Sequence, residues 1–131
     1  MFSSEIIISS IRNVEFIDIT SKLQEAVSAS GVKEGVCLVY VPHTTAGVTI
    51  NENADPSVVA DIINKLSELV PQSSVYKHTE GNAPGHIKST LVGCSVSIPV
   101  SGGKLMLGTW QGVFFCEFDG PRQRRLIIRV F

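Results

Sequence analysis

The three histidines of this 131-residue chain are the side chains best suited to bind a metal or move protons near neutral pH. They lie in two polar segments, YVPHTTAGVTINENADPS with His43 and KHTEGNAPGHIKS with His78 and His86. Zinc takes three or four nitrogen, oxygen or sulfur ligands, so three imidazoles and a water would satisfy it. The histidines therefore predict a divalent-metal site, for zinc or magnesium. Three unrelated surface histidines are the alternative, because His78 and His86 lack the i, i+4 spacing of a helical zinc pair.

The segment FDGPRQRR near the C-terminus is a second group of chemically capable residues. Arg122, Arg124 and Arg125 carry planar forks that suit phosphate or carboxylate groups. Glu117 and Asp119 alternate with apolar residues and share one face of a strand, where they could serve as acid, base or metal ligand. Two alternatives remain open: a solvated basic entry to a strand, and carboxylates that only pair with the arginines.

Two shorter segments supply further polar candidates. Asn51 and Glu52 follow the strand predicted after His43, although a loop that caps the next helix explains them as well. Trp110 and Gln111 stand between glycines in LGTWQG, where a tryptophan either walls a pocket for a ring or belongs to the core.

Hydrophobic periodicity and turn residues predict the elements that would position these side chains. The predicted strands are Glu5–Ile11, Val14–Ile19, Gly35–Val41, Ala46–Asn51, Cys94–Val100, Lys104–Thr109, Val113–Phe118 and Arg124–Phe131. The predicted helices are Ser21–Ser30, one that begins at Asp55–Pro56 and is stopped by Pro71, and the short Ile87–Leu91. For the first helix, Ser21 and Gln24 predict a capping box, and Gly31 predicts the end. This order predicts an α+β fold, a largely antiparallel sheet or sandwich with two main helices packed on it.

Composition places the chain among ordinary globular domains. It is 44% hydrophobic and 18% charged, which excludes a disordered chain, and its length suits one domain over residues 1–131. A net charge of -1 gives no reason to expect a nucleic acid or a membrane as a partner. The low charge also leaves room for an interface between copies of the chain.

The cysteines and the N-terminus indicate the compartment. Cys37, Cys94 and Cys116 are odd in number, form no CxxC and lie in apolar runs, which favours buried free thiols over a catalytic cysteine. The first residues lack the basic stretch of a signal peptide, and no apolar run approaches the ~20 residues of a membrane-spanning helix. We therefore expect a soluble, cytoplasmic protein.

Several segments together resemble one known family. HTTAGVTINENADPSV, YKHTEGNAPGHIKSTLVG, IPVSGGKL, LGTWQG and FDGPRQRR are similar to the motifs of the YjbQ family, long called uncharacterised protein family UPF0047. The resemblance runs from about Gly35 to Phe131. One difference is GNAPGH, which stands where many relatives have a GNADAH-like string and leaves one carboxylate fewer beside His86.

The resemblance implies an α+β fold that forms homotrimers, with polar residues in a cleft near the subunit boundary. It also implies a weak thiamine-phosphate synthase activity. That reaction condenses a hydroxymethylpyrimidine pyrophosphate with a thiazole phosphate and releases pyrophosphate.

Three functional hypotheses follow. The first is an enzyme that acts on phosphorylated small molecules, with a histidine-bound metal. Its predicted site comprises metal ligands His43, His78 and His86, catalytic Glu52 and Asp119, and substrate-binding Asn51, Lys88, Trp110, Gln111 and Arg122. The second is a metal- or ligand-binding homotrimer without turnover. The third is a structural protein whose loops only form a contact between subunits.

Overall fold

The computed structural model describes residues 1–131 and contains eight strands and three helices. The strands are β1 (Phe2–Ser9), β2 (Glu15–Asp18), β3 (Gly35–Tyr40), β4 (Ala46–Glu52), β5 (Ser95–Ser101), β6 (Lys104–Leu105), β7 (Gln111–Glu117) and β8 (Gln123–Val130). The helices are α1 (Thr20–Ser30), α2 (Pro56–Leu69) and α3 (Ala83–Val92). None of the helices has the length and apolar character needed to cross a membrane.

The strands form two antiparallel sheets, which confirms the predicted α+β class. One sheet has the order β1-β8-β3-β5-β6 and the other the order β2-β7-β4. Seventeen buried apolar residues from both sheets and from α1 form the main core, among them Phe115, Leu126 and Ile128. Alternation along β7 sends Phe114 and Cys116 to the opposite face of the smaller sheet, where they form a second cluster.

The first two strands lie close to their predicted positions but in different sheets, because β1 pairs with β8 and β2 pairs with β7. Helix α1 ends at Gly31, whose left-handed conformation (φ 71°) confirms the predicted stop. The predicted capping box is wrong, since no side chain caps the start of α1. Gln24 instead donates to the Gly103 carbonyl oxygen and accepts from the Leu105 amide, and so ties α1 to β6.

Helix α2 begins as predicted. The Asp55 side chain accepts a hydrogen bond from the Ser57 amide at 2.9 Å, and Pro56 occupies the first turn. The apolar stripe of α2 is only half-buried, and no residue of this helix is fully buried within one chain. The stripe is Val58, Val59, Ile62, Ile63 and Leu66.

Helix α3 is longer than predicted, since it runs over Ala83–Val92 rather than Ile87–Leu91. Apart from Lys88, its buried side is made of small residues that allow close packing on β4. The Ser89 hydroxyl donates to the Ala46 carbonyl oxygen at 2.6 Å, and a Cβ on Gly85 would lie 2.9 Å from the Phe118 carbonyl oxygen. Hydrophobic periodicity misses such a helix, so the expectation of two main helices is corrected to three.

The three cysteines are free thiols. Cys37 and Cys116 are buried, as predicted, and burial raises the pKa of the Cys37 thiol to about 11. The prediction is wrong for Cys94, which lies in the turn between α3 and β5 and is exposed.

Candidate functional site

A polar cleft of about 470 Å³ contains all three histidines. It is lined by Pro42, His43, Thr44, Thr45, His78, Glu80, Asn82, His86, Asp119, Arg122 and Arg124. The structure thus places the histidines, Asp119 and Arg122 at one cleft. Ligand pockets are usually lined mainly by apolar side chains, so this lining is typical of a site for a charged group.

Three strand ends and one helix start position the cleft. His43 follows β3, Asp119 follows β7, and Arg124 lies near the beginning of β8. The Phe118 amide donates to the Thr45 carbonyl oxygen at 3.1 Å, which joins the end of β7 to the entry of β4. His86 enters from the first turn of α3, whose buried face packs against β4.

A buried ion pair forms the floor of the cleft. Glu117 is 0% exposed and Arg124 is 4% exposed. Arg124 Nε donates to both Glu117 carboxylate oxygens, at 2.9 and 3.2 Å, and Arg124 Nη2 also reaches the Thr45 hydroxyl at 2.8 Å. The Ser10 hydroxyl donates to Glu117 Oε1 at 2.7 Å. Buried charges need such complete pairing, because each costs several kcal/mol to remove from water.

The environment of Glu117 favours its charged form. Burial raises the pKa of this carboxyl, but the hydrogen bonds that it accepts and the nearby guanidinium of Arg124 outweigh burial. The pKa of Glu117 is therefore held below its ordinary value of 4.5. Glu117 is thus a fixed negative charge at neutral pH rather than an acid.

Asp119 lies at the wall of the cleft and is also engaged. Its Oδ2 accepts from Arg122 Nη2 at 3.0 Å and from Asn82 Nδ2 at 2.9 Å. Arg122 Nε donates to the Asp119 carbonyl oxygen at 2.8 Å, so this arginine is held by both backbone and side chain. The sequence left several roles open for the carboxylates of FDGPRQRR and the residues before it. In the structure both Asp119 and Glu117 are partners of arginines.

His43 is fixed by a backbone hydrogen bond. The Arg125 amide donates to His43 Nε2 at 2.9 Å. Burial lowers the pKa of His43, and the positive charges of Arg124 and Arg125 lower it further, while Glu117 opposes them. The pKa of His43 is lowered from its ordinary value of 6.5, so the ring is neutral at pH 7.

His78 and His86 also line the cleft and contact each other. Their ring centroids are 5.2 Å apart in an edge-to-face arrangement, and His78 Nε2 lies 4.0 Å from Glu80 Oε2. No three His, Cys, Asp or Glu side chains of the chain are arranged to hold a metal ion. The three-histidine metal site therefore stays a prediction that this geometry does not support.

Four predicted site residues lie at the other end of β4 and β7. Ala46 pairs with Glu117 near the cleft, whereas Glu52 pairs with Gln111 six residues further along. That distance is about 20 Å at the rise of a β-strand. Asn51 and Trp110 lie at the same distant end, and Trp110 is 63% exposed rather than part of the core. These residues do not reach the cleft of their own chain.

Lys88 lies on α3 but does not line the cleft. Its side chain is buried, and it has neither a hydrogen bond nor an ion pair with another side chain. Burial lowers the pKa of Lys88. Its predicted role in binding a phosphate stays a prediction that the geometry does not support.

Among the cleft residues that the predicted site did not include are Arg124 and Asn82. Arg124 is in phase with Leu126, Ile128 and Val130, the inward-facing residues of β8, and that phase predicts a buried arginine. Asn82 directly precedes α3, where an asparagine is a common capping residue, although its side chain binds Asp119 instead. The burial of Arg124 can thus be predicted from the sequence, whereas the position of Asn82 predicts a helix cap rather than a contact with Asp119.

Comparison with known proteins gives one consistent family. The family model described as UPF0047 protein YjbQ-like matches residues 4–131. The chain is similar to the UPF0047 protein MJ1081 of Methanocaldococcus jannaschii, with 58% identity over 116 residues that cover 88% of this chain and 84% of the relative. It is also similar to the UPF0047 protein YugU of Bacillus subtilis, with 46% identity over 124 residues and 94% of each chain covered.

Solved structures share the fold. An uncharacterised YjbQ/UPF0047-family protein from Clostridium acetobutylicum superposes with a TM-score of 0.96 at 48% identity, covering 98% of this chain and 99% of that one. A hypothetical protein from Aeropyrum pernix K1 gives a TM-score of 0.95 at 39% identity, covering 100% and 98%. The curved antiparallel sheets and three helices described above match these structures. From the family model and the identities, the chain belongs to the YjbQ-like UPF0047 family.

Proposed function

We propose that the cleft binds the phosphate or pyrophosphate group of a small molecule and that the protein catalyses a transfer of the thiamine-phosphate synthase type. The observation that carries the proposal is Arg124, a buried guanidinium that lines the cleft. Arg122 lines the same cleft, so two planar forks face one polar space.

Both arginines have donors left for a ligand. The hydrogen bonds of Arg124 use Nε and Nη2, and those of Arg122 also use Nε and Nη2. Nη1 of each guanidinium has no protein acceptor, so it is free to donate to a phosphoryl oxygen. When pyrophosphate leaves a carbon atom, negative charge grows on its bridging oxygen, and preorganised donors stabilise that charge.

In this proposal Asp119 transfers the proton, because it is the one of the two predicted catalytic carboxylates that lines the cleft. Its Oδ1 accepts no protein hydrogen bond, so one oxygen is available to a substrate. Glu52 is too distant within one chain and takes part only if a second copy brings it to the cleft.

The direct test is turnover of the hydroxymethylpyrimidine pyrophosphate and thiazole phosphate by the purified protein with Mg²⁺. We expect Arg122→Met to lower the rate by about 10² to 10³, the usual effect of removing one preorganised donor. Arg129→Met is the matched control, because Arg129 is an exposed arginine at the far end of β8. Equal rates for the two variants would contradict the proposed site.

A second candidate is a ligand-binding homotrimer without turnover. One observation favours it: Asp119 and Glu117 are already held by arginines, which lowers their value as bases. Binding of pyrophosphate to the wild type, with no turnover of either thiamine precursor or of other phosphate esters, would favour this candidate.

Assembly as a homotrimer is part of both proposals. Its support is α2, whose apolar stripe is left half-buried by its own chain. A second copy that covers this stripe would complete the burial that an amphipathic helix normally achieves.

A further inference from the structure

The hydrogen bond on His43 determines which ring nitrogen carries the proton. A backbone N–H is only a donor, so the Arg125 amide, 2.9 Å from Nε2, requires Nε2 to be the acceptor. In a neutral imidazole the other nitrogen then carries the proton, and this is Nδ1. The accepting nitrogen of the ring, Nε2, is therefore used by the protein, whereas the donor, Nδ1–H, is not.

The sheet explains why the Arg125 amide is available for this role. β3 pairs with β8 only as far as Tyr40 opposite Ile127. Arg125 lies two residues beyond that pair, and β3 has already ended before Pro42. The imidazole of His43 thus accepts the hydrogen bond that a further residue of β3 would have accepted. It is held by main chain rather than by a mobile side chain.

The charges around His43 keep the ring neutral. Arg124 and Arg125 flank it, and burial adds to their effect in lowering the pKa of the ring. A protonated ring would lose its hydrogen bond with the Arg125 amide, since it would then have two donors and no acceptor. The fixed tautomer and the neutral state therefore support each other.

The Nδ1–H group has no acceptor in the protein, since the Arg125 amide is the only hydrogen-bond partner of this ring. His43 lines the cleft beside Arg124 and also lines an adjoining cavity with Thr44 and His86. The unused donors of the residues that line the cleft include His43 Nδ1–H and the free edges of Arg122 and Arg124.

We propose that His43 is a neutral hydrogen-bond donor that positions an anionic oxygen of the ligand through Nδ1–H, rather than a metal ligand or a general base. This inference rests on the proposed binding of a phosphate group by the cleft. Its ligand class is an oxyanion, and the oxygen of a phosphate or pyrophosphate fits the two neighbouring guanidinium groups. His43 is therefore a positioning residue for the phosphoryl group.

Metal binding is incompatible with this arrangement on either nitrogen. A metal at Nε2 would displace the Arg125 amide from its acceptor. A metal at Nδ1 would require the proton on Nε2, where it would point at the donating amide. Either case costs a backbone hydrogen bond as well as the tautomer that the fold selects.

The tautomer is measured first, on the wild-type protein with ¹⁵N-labelled histidine. The chain has only three histidines, so a His43→Asn variant assigns the signal. We expect His43 to show a protonated Nδ1 and an unprotonated Nε2 at pH 7, with and without added Zn²⁺. A proton on Nε2, or a Zn²⁺-dependent loss of the Nδ1 proton, would overturn the inference.

The role in binding is measured by calorimetric titration with inorganic pyrophosphate in EDTA. An asparagine amide can place its N–H near the position of Nδ1, whereas a glutamine amide reaches the position of Nε2. We expect His43→Asn to bind within about threefold of the wild type and His43→Gln to bind about 10- to 100-fold more weakly, the loss of one hydrogen bond to a charged group. Thermal melting of both variants confirms that each is folded.

Two outcomes separate this inference from the proposed function. If the wild type binds pyrophosphate but both variants weaken binding equally, His43 is not a donor through Nδ1 and the inference is overturned. If the wild type does not bind pyrophosphate at all, the proposed function itself fails, and the tautomer measurement still stands as a separate result.

Discussion

At the scale of single residues, the cleft depends on a buried negative charge that the neighbouring residues in the sequence do not predict. Arg124 could serve a ligand only because Glu117 is buried beneath it and stays ionised. The alternation of Glu117 and Asp119 with apolar residues predicted a shared face, but Glu117 pairs with Arg124 on β8, whereas Asp119 pairs with Arg122 in the turn that follows it. The pair of Glu117 and Arg124 joins the two sheets, and one sequence does not specify how the sheets pack on each other.

Glu117→Gln is expected to destabilise the protein by about 3 to 5 kcal/mol at pH 7, because it leaves the buried Arg124 charge unpaired. The control is Glu5→Gln, which removes a half-exposed partner of Arg125 and should cost no more than about 1 kcal/mol. Urea unfolding of both variants measures the difference. Equal losses would mean that the buried pair contributes no more than the exposed one.

The same residue gives a pH dependence with a definite sign. The pKa of Glu117 is lowered in the folded protein, so its contribution to stability is present above the ordinary value of 4.5. That contribution is lost as the pH falls through the lowered pKa. We therefore expect the stability gap between wild type and Glu117→Gln to shrink as the pH falls below 4.5. A gap that stays constant over this range would contradict the assignment.

Lys88→Met is expected to stabilise the protein by no more than about 1 kcal/mol at pH 7, because most of the lysine side chain is buried while its amine has no protein partner. The pKa of Lys88 is lowered, so folding favours the neutral amine and wild-type stability rises as the pH approaches 10.5. The advantage of methionine should therefore decrease from pH 7 to pH 10 in thermal unfolding. A loss of stability in the variant would indicate that Lys88 has a partner in the assembled protein.

At the scale of elements, the strands were predicted within a few residues, and the misses have physical causes. Apolar runs such as GVCLVYV mark a buried strand whatever it pairs with. The range predicted for helix α3 was too short, because Ala83, Pro84 and Gly85 bury little apolar surface while packing closely on β4. That packing brings His86 on α3 and Asn82, which directly precedes the helix, to the cleft.

Gly47→Ala tests the contact between α3 and β4. A Cβ there would lie 2.5 Å from the Gly93 carbonyl oxygen, a backbone atom that cannot move without the end of α3. We expect a loss of about 1 to 3 kcal/mol in urea unfolding, the usual cost of overpacking. Gly108→Ala is the control, because its new Cβ would meet only the flexible Gln111 side chain at 3.3 Å. Equal effects would show that α3 adjusts freely on β4.

At the scale of the whole molecule, two groups of motif residues lie at opposite ends of β4 and β7. The residues of the first group, His43, His78, His86, Asp119 and Arg122, were predicted from loops and turns and share the cleft. Those of the second group, Asn51, Glu52, Trp110 and Gln111, form a separate polar end of the same chain. One sequence does not specify this separation, because it follows from the antiparallel pairing of β4 and β7.

Assembly as a trimer is tested by substitution in the apolar stripe of α2. We expect the wild type to have three times the mass of one chain in light scattering, and Ile62→Glu to shift it towards the monomer. Ser67→Glu places the same charge on an exposed residue of α2 and should leave the mass unchanged. A wild type of single-chain mass, or an unaffected Ile62→Glu protein, would contradict the proposed role of α2.

The central claim, that the polar cleft binds a phosphorylated ligand, is tested most directly by histidine NMR. All three histidines of the chain line this cleft, so every histidine signal reports on it. Titration with inorganic pyrophosphate in EDTA is predicted to shift the ring signals of His43, His78 and His86 together and to saturation, with the shifts lost in Arg122→Met and kept in Arg129→Met. Ring signals that stay unchanged at millimolar pyrophosphate would contradict the account.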